Sequence, residues 1–505
     1  MALAVIAALC FAGCRTWFRE MPAGFVVPPC NAPAKMVFVC EKDGWAEQVM
    51  RLPCFGRGRT VAVPAFIPAG TTATEMSTPW TTDEWIFGYW GGRLSALQIP
   101  GERGLSRWGV EYFNRHHGWQ RIVVGWGGES PGSRFTAGGN IIASPPVPGR
   151  FPHGRIIAGE QMQPQLLDFF RQQRVQTGPD GKLIELPTDW LKVGHVDEIV
   201  GFVPFRAATP ARRASDGSAG PADAGFRLVL PDPEAGIRLL ASVPADRVLF
   251  AAENGRQVIG TATSGGARFI EDLARDFTGG KWSYVRIISG KGAGVVGRVW
   301  KPAGHRLLID QSWNLQGECL GLATRAAREG RADNMPIWFE IPDGTSRYVA
   351  VEDSCMWLDG AGDEFPALIT AGELASDAGL LAAATNCAKR IYGPGGVREV
   401  VSRGLGLREE DAIRLPVLWS GNPDGTDIAP LVPNPVNLVC LGEEVVLLEP
   451  HGPRLKPEDE SSDVFLCAWK EAMERAGVRA VFLDGWNALH RLDGGARCGM
   501  NVLRK

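Results

Sequence analysis

The chain has 505 residues, 45% of them hydrophobic and 22% charged, which suffices for a large buried core and is unlike a disordered chain. A formal net charge of −3 offers no electrostatic basis for a nucleic-acid partner, which needs clustered basic surface, and is compatible with a cationic substrate. Sixty-three Gly, 36 Pro and 17 Trp describe a loop-rich mixed α/β or β protein rather than a helical bundle.

The start, "MALAVIAALCFAGC", is an apolar run long enough for a signal-peptide core and too short to span a bilayer. It lacks the preceding Lys/Arg of such a core, and "FAGC" at Cys14 loosely resembles a lipoprotein cleavage box, so export, a lipid anchor and a buried helix are all open readings. Next, "KMVFVCEKD" and "RTVAVPAFIP" read as short strands, and "RIVVGWGG", "GRIIAG", "FRLVLP", "RVLFAA", "YVRIIS", "HRLLID", "NLVCLG" and "EVVLLEP" continue the pattern. Helical periodicity is predicted for "QPQLLDFFRQQRVQ", "GARFIEDLARDF", "LASDAGLLAAATNCAKRIY" and "SSDVFLCAWKEAMERAG". Strands and helices therefore alternate, which predicts an α/β class. Residues 206–225 are rich in Ala, Ser, Gly and Pro and read as a flexible surface insertion. The eleven Cys show no CxxC pair and no zinc-like spacing, which points to reduced thiols.

Three polar groups stand out. In "STPWTTDEWIFGYW", Asp83 and Glu84 lie between Trp80 and Trp85; in "TDWLKVGHVDEIVGFVPF", His195, Asp197 and Glu198 interrupt an apolar run; in "GGARCGMNVLRK", Cys498 follows a Gly-rich turn. Taken singly, each reads as structural: a surface turn or cap, a hydrogen-bonded histidine, a small apolar residue. If the fold joins them, they make a site for attack on a guanidinium. Two carboxylates would hold that cation in plane, a thiolate would attack its carbon, and a histidine would protonate departing ammonia and then activate water.

These residues sit in motifs that resemble the protein-arginine deiminase family. "TDWLKVGHVDEIVGFVP" is similar to its signature, and "WTTDE", "FTAGGNIIASPPVPGRFPHGRIIAG", "LGLREEDAIRLPVL", "VPNPVNLV", "PHGPR" and "RCGMNV" follow in the family's order from about Val37 onward. The resemblance is to the catalytic domain, expected over residues 35–505 with residues 1–34 as an apolar, irregular leader; the immunoglobulin-like domains of the animal enzymes are not expected. It implies a five-bladed pseudo-symmetric α/β propeller, the pentein-like fold of guanidine-modifying enzymes.

By position, the resemblance makes Cys498 the nucleophile, His195 the general acid/base, and Asp83 and Asp197 the guanidinium ligands. Trp80 becomes an aromatic wall along the substrate stem, Val193 a substrate contact, and Arg103 a contact to the peptide backbone, whose companion arginine is replaced by Gly101. The implied activity is hydrolytic deimination of peptidyl arginine in arginine-containing proteins or peptides, in the cytoplasm, with no nucleic acid and no membrane span. Gly101 also admits free arginine or agmatine as substrate, through a deiminase or an amidinotransferase, and an inactive arginine-binding scaffold is the reading from a different class. Family enzymes bind calcium near the site. Glu84 is retained as a ligand, but Gln98, Ile99 and Glu102 replace Asp, Ser and Asn, and a second site would need oxygen ligands at Thr82, Ile86 and Ile142. The second calcium site is thus expected to be absent and the first weakened or lost; the chemical step itself needs no metal.

Overall fold

The computed structural model describes residues 24–53, 59–64, 80–99, 112, 120–123, 134–205, 225–249, 256–266, 268–310, 314–315, 342–353, 355–358, 364–366, 368–456 and 459–504. The apolar start, Gly101, Glu102, Arg103 and residues 206–224 of the insertion lie outside these, as does the side chain of Glu84.

Among the described residues, five small sheets share one strand pattern: an antiparallel pair followed by a parallel third strand. In the first, Ala34–Glu41 pairs antiparallel with Met500–Arg504 and parallel with Thr60–Pro64. The second joins Trp85–Trp90, Arg93–Gln98 and Gln120–Val123, with Phe25–Val26 added antiparallel at its edge. Ile141–Ala143, Ile156–Gly159 and Ile184–Leu186 make the third. Gly201–Pro204, Phe226–Asp232 and Ala412–Pro416 make the fourth, and Val439–Leu441, Glu444–Leu448 and Arg479–Leu483 the fifth. A parallel step requires a crossover, usually a helix. Trp45–Met50, Pro164–Gln173 and Val464–Arg475 serve the first, third and fifth sheets. The strand–helix alternation read from the sequence is therefore an α/β architecture, and the chain's last strand completes the sheet of one of its first.

The crossover helices form where capping and apolar spacing agree. Asp463 caps Val464–Arg475 by accepting from the amides of Phe465 and Leu466, and Val464, Phe465, Trp469, Ala472 and Met473 bury one stripe. Burying each of its large apolar side chains contributes about 1.5–3 kcal/mol. The predicted helix around "LASDAGLLAAATNCAKRIY" is instead two helices, Ala371–Ala375 and Ala378–Tyr392, because Asp377 turns its side chain onto the Leu380 amide and starts a new one.

The fourth sheet's crossover carries an inserted eight-stranded antiparallel sheet between Gln257 and Val351. It has its own core, including Ile270, Phe277, Trp282, Val285 and Tyr348. Here the helix predicted over "GARFIEDLARDF" is wrong: Phe269–Glu271 is a strand paired with Ser264–Gly266 and Arg306–Ile309. Its apolar residues fit both periods over so short a run, and pairing on both edges decides the outcome. Half of "RVLFAA", residues 250–252, lies outside the described residues; within the rest, Val248 makes an isolated bridge to Thr370. No helix among the described residues is long and apolar enough to cross a membrane.

Candidate active site

Each of the five sheets sends the segment just before its first strand to one place. Trp80 to Glu84 precede Trp85–Trp90, Gly138–Asn140 precede Ile141–Ala143, and His195 to Glu198 precede Gly201–Pro204; Asn434 to Asn437 and Gly495 to Cys498 precede the remaining two. Backbone and side-chain contacts join them. The Gly139 amide donates to Asp83 Oδ1 (3.2 Å), the Val196 amide to Asn140 Oδ1 (3.0 Å), and Asn434 Nδ2 to the Glu198 carbonyl (2.8 Å). The Thr82 amide reaches the Cys498 carbonyl at 3.4 Å, and its hydroxyl donates to the carbonyls of Arg497 (2.6 Å) and Met500 (3.1 Å).

Gly139 marks the centre. A Cβ there would lie 2.6 Å from His195 Nδ1, 3.0 Å from Asp197 Oδ2 and 3.2 Å from Asp83 Oδ1, so the three functional groups converge on a point that only glycine leaves open. Residues more than a hundred positions apart in the chain thus meet. Asp83, His195, Asp197 and Cys498 are all buried, at 8%, 2%, 0% and 5% exposure.

His195 Nε2 lies 2.8 Å from the Arg134 carbonyl. A carbonyl can only accept, so Nε2 carries the proton and Nδ1 is the nitrogen turned to the site, 4.0 Å from Asp83 Oδ1 and without a hydrogen-bond partner among the described residues. Burial depresses the His195 pKa, but Asp83, Asp197 and Glu198 together raise it above the ordinary imidazole value. Glu198 Oε1 accepts from the His195 amide at 2.9 Å and so fastens the loop. Burial pushes the Glu198 carboxyl up to about 8, which suits a structural part. Burial also pushes Asp197 up to about 6, against the lowering effect of Arg497 and His195. Both Asp197 carboxylate oxygens are buried and accept no aligned hydrogen bond from the described residues.

Burial first, then the negative charge of Asp197 and Asp83, holds the Cys498 thiol well above its ordinary pKa. A cation seated between those carboxylates would reverse the sign of that field at sulfur. Asn437, which the sequence reading left without a role, holds the Cys498 turn: its Oδ1 accepts from the amides of Arg497 (2.8 Å) and Cys498 (3.3 Å), and its Nδ2 lies 3.4 Å from Cys498 Sγ. The one sequence signal was an Asn between apolar residues at the head of a strand, in "VPNPVNLV". Trp80 is half-buried, with its ring against Gly494, where a Cβ would come within 2.1 Å. Val193 is half-buried beside Gly194, whose φ of 87° turns the chain into His195.

The calcium positions fare differently. Ile86, Ile99 and Ile142 are buried in apolar clusters, and the Thr82 hydroxyl is engaged as above. Residues at the expected second site therefore do not fit a hard cation that needs six or more oxygen ligands.

The protein-arginine deiminase (PAD) family profile matches residues 69–271 and 364–505. The chain belongs to the protein-arginine deiminase family. The unmatched interval holds most of the inserted sheet. Human protein-arginine deiminase type-4 is 29% identical over 242 residues, 44% of this chain and 32% of its own length. The type-4 enzyme of Rattus norvegicus is 24% identical over 519 residues, 97% of this chain. This family member spans about half (55%) of that relative's length. Among solved structures, the C. jejuni agmatine deiminase aligns over 95% of this chain and 96% of its own, with a TM-score of 0.36 and 9% identity.

Proposed function

We propose that the protein hydrolyses the guanidinium of peptidyl arginine to citrulline with release of ammonia. The observation that carries this reading is the convergence of Asp83 Oδ1, Asp197 Oδ2 and His195 Nδ1 on Gly139, near enough to the Asn437-held Cys498 for the charges of Asp197 and Asp83 to act on its thiol. Asp83 and Asp197 clamp the guanidinium N–H groups. The cation lowers the thiol pKa, the thiol gives its proton to His195 Nδ1, and Cys498 Sγ attacks the guanidinium carbon. His195 Nδ1 delivers the proton with which ammonia leaves, giving a thiouronium on Cys498; water that gives its proton to His195 then displaces the sulfur and leaves a ureido group.

Trp80 supports an extended stem beside the clamp, and Arg103 is assigned to the peptide backbone. The second reading, free arginine or agmatine as substrate, rests on Gly101 in place of a second backbone-contacting arginine. The five sheets are proposed to be the five blades of the family's propeller, supported by the equivalent origin of all five site segments. Residues 35–505 are read as the catalytic domain, with Phe25–Val26 added to the second sheet's edge. A nucleophilic thiol favours a reducing, cytoplasmic setting. Calcium at the second position is not part of this reading, and no step depends on it.

The test is ammonia release from a blocked arginyl peptide, free arginine and agmatine, with and without chelator. Turnover highest on the peptide supports the proposal; turnover on the free compounds alone would transfer it to the second reading. Labelling of Cys498 by a haloacetamidine, with no turnover on any substrate, would favour the arginine-binding scaffold.

A further inference from the structure

One cation beside the pocket has no part in the reaction as written. Arg497 immediately precedes Cys498, and its backbone is tied at both ends, N to Asn437 Oδ1 and O to the Thr82 hydroxyl. Its side chain donates from one guanidinium nitrogen to the Ile141 carbonyl at 2.9 Å, and its Nε stands 3.3 Å from Asp197 Oδ2. Arg497 also lines a cavity of about 70 Å³ with Thr82, Ile141, Val200, Met500 and Arg504. Asp83, His195, Asp197 and Cys498 do not line that cavity, so Arg497 is the residue that links it to Asp197 Oδ2, the oxygen that also converges on Gly139.

The contact is ionic without being an aligned hydrogen bond: among the described residues, Arg497 Nε and both Asp197 oxygens lack aligned partners, the Asn437 side chain being near enough only to help lower the Asp197 pKa. Arg497 therefore compensates the charge of a fully buried carboxylate and leaves its acceptor lone pairs open. Without that compensation, two carboxylates this close would share a proton, and a protonated ligand cannot fork a guanidinium.

We propose that Arg497 is a positioning residue for the deimination, holding Asp197 ionised and its carboxylate fixed while that carboxylate receives the substrate guanidinium. The inference rests on the reading of Asp197 as a guanidinium ligand. The titratable groups around Asp197 are Asp83, His195, Glu198, Cys498 and Arg497, so a change confined to Arg497 should move the others through Asp197.

The experiment combines Arg497→Gln, Arg497→Lys, Asp197→Asn and the Arg497→Gln/Asp197→Asn pair. In ammonia release from benzoyl-arginine amide, Arg497→Gln is expected to lower kcat/KM about tenfold to a hundredfold at neutral pH and to move the acid limb of its profile up by about one pH unit; Arg497→Lys restores the limb. Melting temperature reads the ion pair with no substrate present: the Arg497→Gln loss should be larger at pH 8 than at pH 5 and vanish when Asp197 is already Asn. An unmoved acid limb, or a melting loss that persists in the Asp197→Asn background, overturns the proposal. A wild-type protein that releases no ammonia from any guanidino compound sinks the proposed function instead, and a surviving melting coupling would then make Arg497 a structural ion-pair partner only.

Discussion

Among the described residues, two groupings of cysteine, histidine and aspartate differ in how fully their hydrogen bonds are used. In one, Cys355, His451 and Asp484 join the end of the inserted segment to the body. His451 Nε2 lies 3.1 Å from Asp484 Oδ1, the Cys355 thiol is hydrogen-bonded to the same imidazole, and Trp486 packs edge-on against that ring at 5.3 Å while its indole N–H donates to the Met356 carbonyl at 2.9 Å. His451 holds a left-handed backbone, φ 51°, to do so. In the other, around Cys498, His195 keeps Nδ1 open and Asp197 keeps both oxygens open. Buried polar groups that satisfy one another stabilise a joint, whereas buried groups left open hold free energy in reserve for a ligand. The pKa directions agree: pairing with His451 lowers Asp484 despite burial, while burial raises Asp197 and Glu198.

Exchanging the two cysteines' fates would break this contrast. Cys498→Ala should abolish ammonia release, by at least about a thousandfold, with little loss of melting temperature; Cys355→Ala should keep turnover per folded molecule and lose stability. Equal loss of turnover in both would end the distinction. A smaller effect is expected from His451→Phe, which leaves Asp484 and Cys355 without their shared partner and should cost about 1–3 kcal/mol in chemical denaturation, with the kcat of the folded fraction retained.

The smallest effect is in pH. Asp197 and Glu198 have folded pKa values, about 6 and about 8, above their ordinary ones near 3.8 and 4.5. Their protonated forms favour the folded state, so the stability they contribute is full in acid and is lost as pH rises through 6 and then 8. Asp484 is lowered, so its contribution is present above about pH 4 and lost only in stronger acid. Between pH 5 and 8.5 melting temperature should therefore fall while ammonia release rises through pH 6. Glu198→Gln should flatten the upper part of that fall; an unchanged slope would remove Glu198 as its source.

The strand runs were legible because their apolar residues are bounded by Gly and Pro turns, and Ala34–Glu41, Phe226–Asp232 and Glu444–Leu448 lie where the pattern places them. "GARFIEDLARDF" failed because a short apolar run has no period of its own and takes its form from neighbouring strands at Ser264–Gly266 and Arg306–Ile309. Of the site, Asp83, His195, Asp197 and Cys498 were legible as residue types suited to one reaction in motifs of one family. Asn437, Gly139 and Arg497 were not. Their importance comes from a hydrogen bond to a turn, a missing Cβ and a charge beside a carboxylate, and each needs a partner far away in the chain.

Side-chain chemistry and motif order, both properties of the linear chain, were enough to name a family and a reaction to test. Which nitrogen of His195 faces the pocket, which acid fastens a loop and which waits for a cation depend on distances of about 3 Å between segments hundreds of residues apart. Folding sets those distances, because only the pairing of strands such as Met500–Arg504 with Ala34–Glu41 carries the end of the chain back to its beginning.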